Sequence, residues 1–219
     1  GIENLVGGSS DDWFQVTSAN PIGGAIDGGL GSDTLVGDDL TNNWTIDGAG
    51  IGTLNNGLSG GFAGIENLVG GLNADTFIFG VSGSVGGNVD GGGFFDELNL
   101  AAYTTNIDFT ISGPGSVDGL AGSTSAVSPD PNPIGGTFDN IDSLLSGSGS
   151  DTLVGVDAQA EWAIDGTNIY KHIPTPRDLH FSGVESLVGG NDVDLFTISG
   201  VQTHEIDAGS GDDSFVFTA

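Results

Sequence analysis

The residues best placed to do chemistry are seven aspartates, each closing a glycine-rich turn: Asp12, Asp33, Asp75, Asp96, Asp151, Asp194 and Asp213. They stand in stretches such as GGLGSDTLVG (28–37), GGLNADTFIF (70–79), GGGFFDELNL (91–100) and AGSGDDSFVF (208–217). A turn of this kind could hold a cation, cradle a phosphate, or simply lead the chain into a strand. A phosphate loop needs a following helix with Lys and Ser/Thr at set positions. Here apolar and β-branched residues follow and no Lys is near, so the phosphate reading fails. The choice between cation loop and strand entry depends on how the turns recur.

Composition frames that choice. The chain has 219 residues, 41 of them Gly, yet 37% are hydrophobic, which is enough to build a core rather than a disordered chain. Two Lys and Arg stand against 30 Asp and Glu, for a net charge of −28. Such a surface repels nucleic acid and anionic membranes and attracts cations. The absence of Cys removes disulfides and thiolate metal sites. No apolar run reaches the length of a membrane span, so neither nucleic acid binding nor membrane insertion is expected. The chain opens inside a motif and is read as a segment of something longer.

The turns do recur. GIENLVGG (1–8) returns at 64–71 and as GVESLVGG (183–190), with a weaker copy, NIDSLLSG, at 140–147. SDTLVGDDLTNNWTIDG (32–48) matches SDTLVGVDAQAEWAIDG (150–166), which makes Trp44 and Trp162 equivalent. The seven aspartates are spaced by 21, 42, 21, 55, 43 and 19 residues, so all gaps but one are single or double multiples of about 21. Apolar residues alternate after each aspartate, as at Phe77/Phe79, Leu98/Leu100, Phe196/Ile198 and Phe215/Phe217, which is the period of a strand. The expected fold is all-β: a parallel β-solenoid, β-helix or β-roll-like, with about 20–24 residues per coil and roughly ten coils. Like residues would then stack in columns, Asp above Asp and Phe above Phe. The alternative is an antiparallel sandwich, which has less need of strands this alike. The whole chain, 1–219, reads as one repeat segment. Thr53 falls where a skipped aspartate would be, and the Gly/Ser/Pro-rich stretch 113–137 reads as an irregular loop or insertion.

GGLGSDTLV (28–36) fits the GGxGxDxUx nonapeptide in full and resembles the RTX, haemolysin-type repeats of giant bacterial surface proteins and adhesins. SGSGSDTLV and AGSGDDSFV differ only at the first glycine. The likeness covers most of the chain outside roughly 113–137 and 167–180. It implies Ca²⁺ as the cofactor, bound between neighbouring coils at the aspartate turns, with Asp33, Asp151 and Asp213 as the best-matched ligands. It also implies an extracellular or cell-surface location. Unlike tandem RTX repeats, this chain has one copy per coil. Only Asp12/Asp33, Asp75/Asp96 and Asp194/Asp213 are neighbours, and Phe94 occupies a turn position suited to Gly, Asn or Asp. The competing reading needs no metal: an aspartate before a strand can bond its own turn's backbone N–H groups. A second row, Asp27, Asp47, Asp90, Asp165 and Asp207, is read as corner-forming.

The expected role is that of a structural rod or filament whose partners are neighbouring repeats or identical subunits stacked end to end. Glycans are a further partner, on which an outward Trp13 would stack. The alternative is a polysaccharide-binding or lyase-like domain. Its proton acceptor would be Lys171 or Arg177, beside Asp178, in YKHIPTPRDLHF (170–181). Against that, no nucleophile–base constellation appears, and the segment also reads as a proline-stiffened loop.

Overall fold

A computed structural model describes residues 2–127 and 130–219. Every element in it is a β-strand, and the strands form two large, mostly parallel sheets of 13 and 10 strands. No helix among the described residues is long and apolar enough to cross a membrane.

The chain passes from one sheet to the other and back, a rung at a time. Leu5–Gly8 (β1) and Ile26–Gly29 (β3) lie in the first sheet, Trp13–Gln15 (β2) and Thr34–Val36 (β4) in the second. The next three strands, Asn43–Gly48 (β5), Ile51–Leu54 (β6) and Phe62–Ala63 (β7), all stay in the first sheet as an antiparallel meander. Alternation resumes with Asn67–Gly71 (β8), Thr76–Phe79 (β9), Val89–Gly92 (β10) and Glu97–Asn99 (β11). A second meander, Ile107–Pro114 (β12), Leu120–Ala126 (β13) and Phe138–Ile141 (β14), occupies the second sheet. Ser143–Leu145 (β15) and Thr152–Val154 (β16) lead to a third, back in the first sheet: Ala160–Ile164 (β17), Ile169–His172 (β18) and Arg177–Ser182 (β19). Ser186–Val188 (β20), Asp194–Ser199 (β21), Glu205–Asp207 (β22) and Ser214–Thr218 (β23) complete the order.

Each meander runs against chain order. The chain first jumps ahead to β5, which pairs with the later β9, then folds back through β6 so that β7 pairs with the earlier β3. The long aspartate gaps of 42, 55 and 43 residues are these three excursions. Thr53 therefore lies in β6, antiparallel to β5, rather than on a parallel coil that has lost its aspartate. An antiparallel strand has the same two-residue period as a parallel one, so alternation alone does not separate them. The stretch 113–137, expected to be irregular, contains all of β13; its residues 128 and 129 lie outside the described ones.

Columns of like residues follow from parallel register. Phe14, Leu35, Leu68, Val89 and Phe138 pair in succession along the second sheet. Trp44, Phe77, Leu98, Leu144 and Phe181 do so along the first. Apart from the terminal Phe14, all are buried. The equivalent tryptophans are the hubs of their meanders. Trp44 stacks on Phe77 (5.7 Å, 13°) and meets Phe62 edge-on, while Trp162 stacks on Phe196 (5.4 Å, 13°) and meets Phe181 edge-on. The offset-stacked and T-shaped geometries are those that aromatic quadrupoles favour. At the two ends of the array this order gives way to exposed apolar residues: Val6 and Trp13 at one, Phe215 and Phe217 at the other.

Candidate functional site

The aspartate turns owe their sequence to packing. Each of five aspartates has a glycine five residues earlier, and its side chain lies over that glycine. A Cβ on Gly70 would come within 2.2 Å of Asp75 Oδ2 and 2.3 Å of the Gly91 carbonyl in the next rung. Gly7, Gly28, Gly91 and Gly189 stand in the same relation to Asp12, Asp33, Asp96 and Asp194. The glycine that follows often takes a left-handed conformation, as Gly29 and Gly92 do at φ 98°. Phe94 takes that conformation too (φ 76°), against the expectation for its side chain; its N–H donates to Asp118 Oδ2 at 2.9 Å, which fixes the turn.

The carboxylates link successive rungs. Asp33 Oδ1 accepts from the Asp12 N–H (2.8 Å), Asp96 Oδ1 from the Asp75 N–H (2.7 Å), and Asp213 Oδ1 from the Asp194 N–H (3.0 Å). All three neighbour pairs named from the sequence are thus in direct contact. These bonds reach the adjacent rung's backbone, and Asp194 Oδ2 also accepts from the Gly190 N–H of its own turn (2.8 Å). Where no aspartate follows, the ladder continues. Glu66 accepts from Asp33 (2.9 Å), Glu185 from Asp151 (2.9 Å) and Asp142 from Asp96 (3.0 Å). These three acids occupy one position of the IEN, VES and IDS phrases, a recurrence visible in the sequence but not connected there to the aspartates. Asp75 and Asp151 also accept from the Asn42 (2.6 Å) and Ile107 (2.8 Å) N–H groups.

The single column of aspartates expected from the spacing is in fact divided between the sheets. Asp12, Asp33 and Asp151 precede strands of the second sheet, and Asp75, Asp96, Asp194 and Asp213 enter strands of the first. Each meander keeps three consecutive strands in one sheet, and the phrase changes sides across it. In the other aspartate row, Asp90 and Asp207 accept from the N–H two residues on (both 3.0 Å) and Asp165 from Thr167, as corner residues do.

Asp33, Asp75, Asp96, Asp151 and Asp194 are buried, with at most 1% of their surface exposed; Asp12 and Asp213 are half-buried. One carboxylate oxygen on each of Asp33, Asp75, Asp96 and Asp194 is buried without a hydrogen-bond partner. Burial pushes Asp75 up to about 7 and Asp96 up to about 8, and also raises Asp142, Asp151 and Asp194.

Asp96 takes part in a second arrangement. One carboxylate oxygen from each of Asp96, Asp118 and Asp142 lies within 4.8 Å of the others. Asp118 was not singled out in the sequence; it stands in the β12–β13 turn. That turn is held by buried Asn140, whose Oδ1 accepts from the Val117 N–H (2.7 Å). Asp118 and Asp142 line a cleft of about 380 Å³ whose other wall is the β18–β19 hairpin, with Lys171, Arg177, Asp178 and His180. Arg177 and His180 draw the Asp142 pKa down against the larger effect of burial. The cleft thus gathers both of the chain's Lys and Arg residues. Arg177 Nη2 donates to the Val117 carbonyl at 2.8 Å and ties the two meanders together. The segments on either side of this bond, 113–137 and 167–180, are those the repeat pattern does not cover.

Compared with known protein families, with curated proteins and with solved structures, the chain shows no match.

Proposed function

We propose that this chain is a rod-like stretch of β-solenoid, acting as an extracellular structural repeat segment of a bacterial surface or secreted adhesin-type protein. The observation that carries this reading is the carboxylate ladder. Side chains of one rung satisfy backbone N–H groups of the next, so order passes along the stack by direct bonds between neighbours. The apolar columns add stiffness, and the net charge of −28 keeps the lateral faces from associating. The terminal strands carry exposed Trp13 at one end and Phe215 and Phe217 at the other. On this reading those ends take a further rung, from the same chain or from a second copy. The likeness of the turns to RTX repeats points the same way and makes Ca²⁺ the ion to test.

Single-molecule pulling through the two ends tests the proposal. A stacked rod releases chain in several steps, about 20 residues or roughly 7 nm of extended chain for a plain rung and a longer step where a meander opens as a unit. Release of the whole chain in a single low-force event would overturn it. The alternative of a polysaccharide-binding or -cleaving domain is favoured by one observation, the meeting of Lys171, Arg177 and Asp178 at one cleft. Assay of acidic polysaccharides separates the two. The rod reading expects no cleavage, with the K171A/R177A variant matching the parent chain.

A further inference from the structure

We propose that Asp96, Asp118 and Asp142 form a binding site for a divalent cation, Ca²⁺ in preference to Mg²⁺, beside the cleft between the second and third meanders. It differs from a site shared by two glycine–aspartate turns, because only Asp96 belongs to such a turn. Asp118 comes from the β12–β13 turn, and Asp142 from the phrase after β14.

The hydrogen bonds show how the site is built. Asp118 Oδ2 accepts the Phe94 N–H and Asp142 Oδ2 the Asp96 N–H, which orients both carboxylates. Asp96 Oδ1 accepts the Asp75 N–H. Asp96 Oδ2 and Asp118 Oδ1 are left buried with no partner. Asp96 itself is 0% exposed, so water does not solvate the charge that its neighbours crowd. Two unpartnered carboxylate oxygens in one triad are acceptors that still need a positive group.

The surrounding charges determine which kind. Asp118, Asp142 and Asp178 line the cleft with the permanent cations Lys171 and Arg177, and ionisation of the buried Asp96 beside them leaves the group short of two positive charges. Arg177 is also committed to the Val117 carbonyl. A dication closes the deficit, whereas an anionic ligand alone would widen it. An all-carboxylate triad is a hard-oxygen donor set. The three carboxylate oxygens lie within 4.8 Å of one another, near enough for one cation to reach all three. An irregular set of carboxylates suits Ca²⁺, whose coordination is flexible, better than Mg²⁺, which demands near-ideal octahedral geometry. The open cleft leaves room for the waters that complete six to eight ligands.

Isothermal titration of EDTA-stripped protein with CaCl₂ and with MgCl₂ tests this. Asp118→Asn and Asp142→Asn keep an oxygen that can accept the N–H bond while removing the charge, and circular dichroism checks that each variant is folded. The parent chain should bind Ca²⁺ at least ten-fold more tightly than Mg²⁺. Either substitution should weaken Ca²⁺ at least ten-fold and abolish the Ca²⁺-dependent rise in melting temperature, whereas Asp108→Asn, at an exposed aspartate outside the turns and the triad, should leave this isotherm unchanged. Three outcomes would overturn the proposal: no Ca²⁺ heat at millimolar concentration, parent-like affinity in the two folded variants, or an equal loss of binding in Asp108→Asn. If one variant does not fold, the other decides.

Discussion

The carboxylate of Glu66 accepts a hydrogen bond from the backbone N–H of Asp33 at 2.9 Å, and Glu185 does the same for Asp151 at the same distance. Two repeat phrases, one carrying Glu and one Asp, therefore meet across the first and third meanders, and Asp142 takes the place of Glu across the second. Glu66→Ala strands a buried N–H and should cost about 1–3 kcal/mol, whereas Glu66→Gln, which keeps an acceptor, should cost less. Glu66 and Glu185 serve different rungs with no shared partner. The double alanine variant should therefore equal the sum of the singles to within about 0.5 kcal/mol in urea unfolding.

Trp44 and Trp162 are buried between a stacked and an edge-on ring, whereas Trp13 is 67% exposed. Replacing either buried tryptophan with alanine should destabilise the chain by about 3–5 kcal/mol. Trp13→Ala should stay within about 0.5 kcal/mol of the parent. A shift in denaturation midpoint without a change in slope identifies the effect as one on stability.

The glycine of the turn is a packing requirement with a measurable cost. Gly70→Ala brings a methyl against Asp75 and the Gly91 carbonyl, and should destabilise by about 1–3 kcal/mol. Gly48→Ala is the control, because its nearest neighbours, Ile51 side-chain atoms, lie at 3.7 and 3.8 Å, an ordinary contact. Thermal melts of both variants, side by side, check the difference.

Buried carboxylates give this chain an unusual pH response. Asp75 and Asp96 are raised from 3.8 to about 7 and about 8, so between those limits the folded state holds protons that the unfolded state has lost. Their contribution is complete below pH 3.8 and is lost as the pH rises through 7 and 8. In EDTA the melting temperature should therefore climb as the pH falls from about 8 towards 5. Asp75→Asn should flatten that slope, and a flat profile in the parent chain would refute the assignment.

Much of this was legible in the residues. The equivalence of Trp44 and Trp162, the inward Phe77 and Phe79, and the adjacency of Asp12 and Asp33 all followed from phrase repetition and period-two alternation, because in parallel pairing like residues come side by side. The meanders did not follow. Thr53 sits in a strand that alternates like its neighbours, and direction leaves no mark on period. The division of the aspartates between two sheets is a consequence of those meanders, and so was hidden with them. Asp118 was invisible for another reason: it belongs to no repeat, and only the folded turn held by Asn140 brings it to Asp96.

The meanders also change how the stack can come apart. A plain stack peels from an exposed edge as a crack runs, one rung after another, each failure exposing the next. At β5–β6–β7 the chain is stitched across its own growth direction, since the strand reached first is paired ahead and the strand reached last is paired behind. A tear arriving from β3 meets β7, but the chain leaving β4 continues into β5, two ladder positions beyond β7, so a front advancing in sheet order must open β7, β6 and β5 before further chain is freed. Three such stitches, two in one sheet and one in the other, act as crack arrestors and divide the paired sheets into compartments that fail separately.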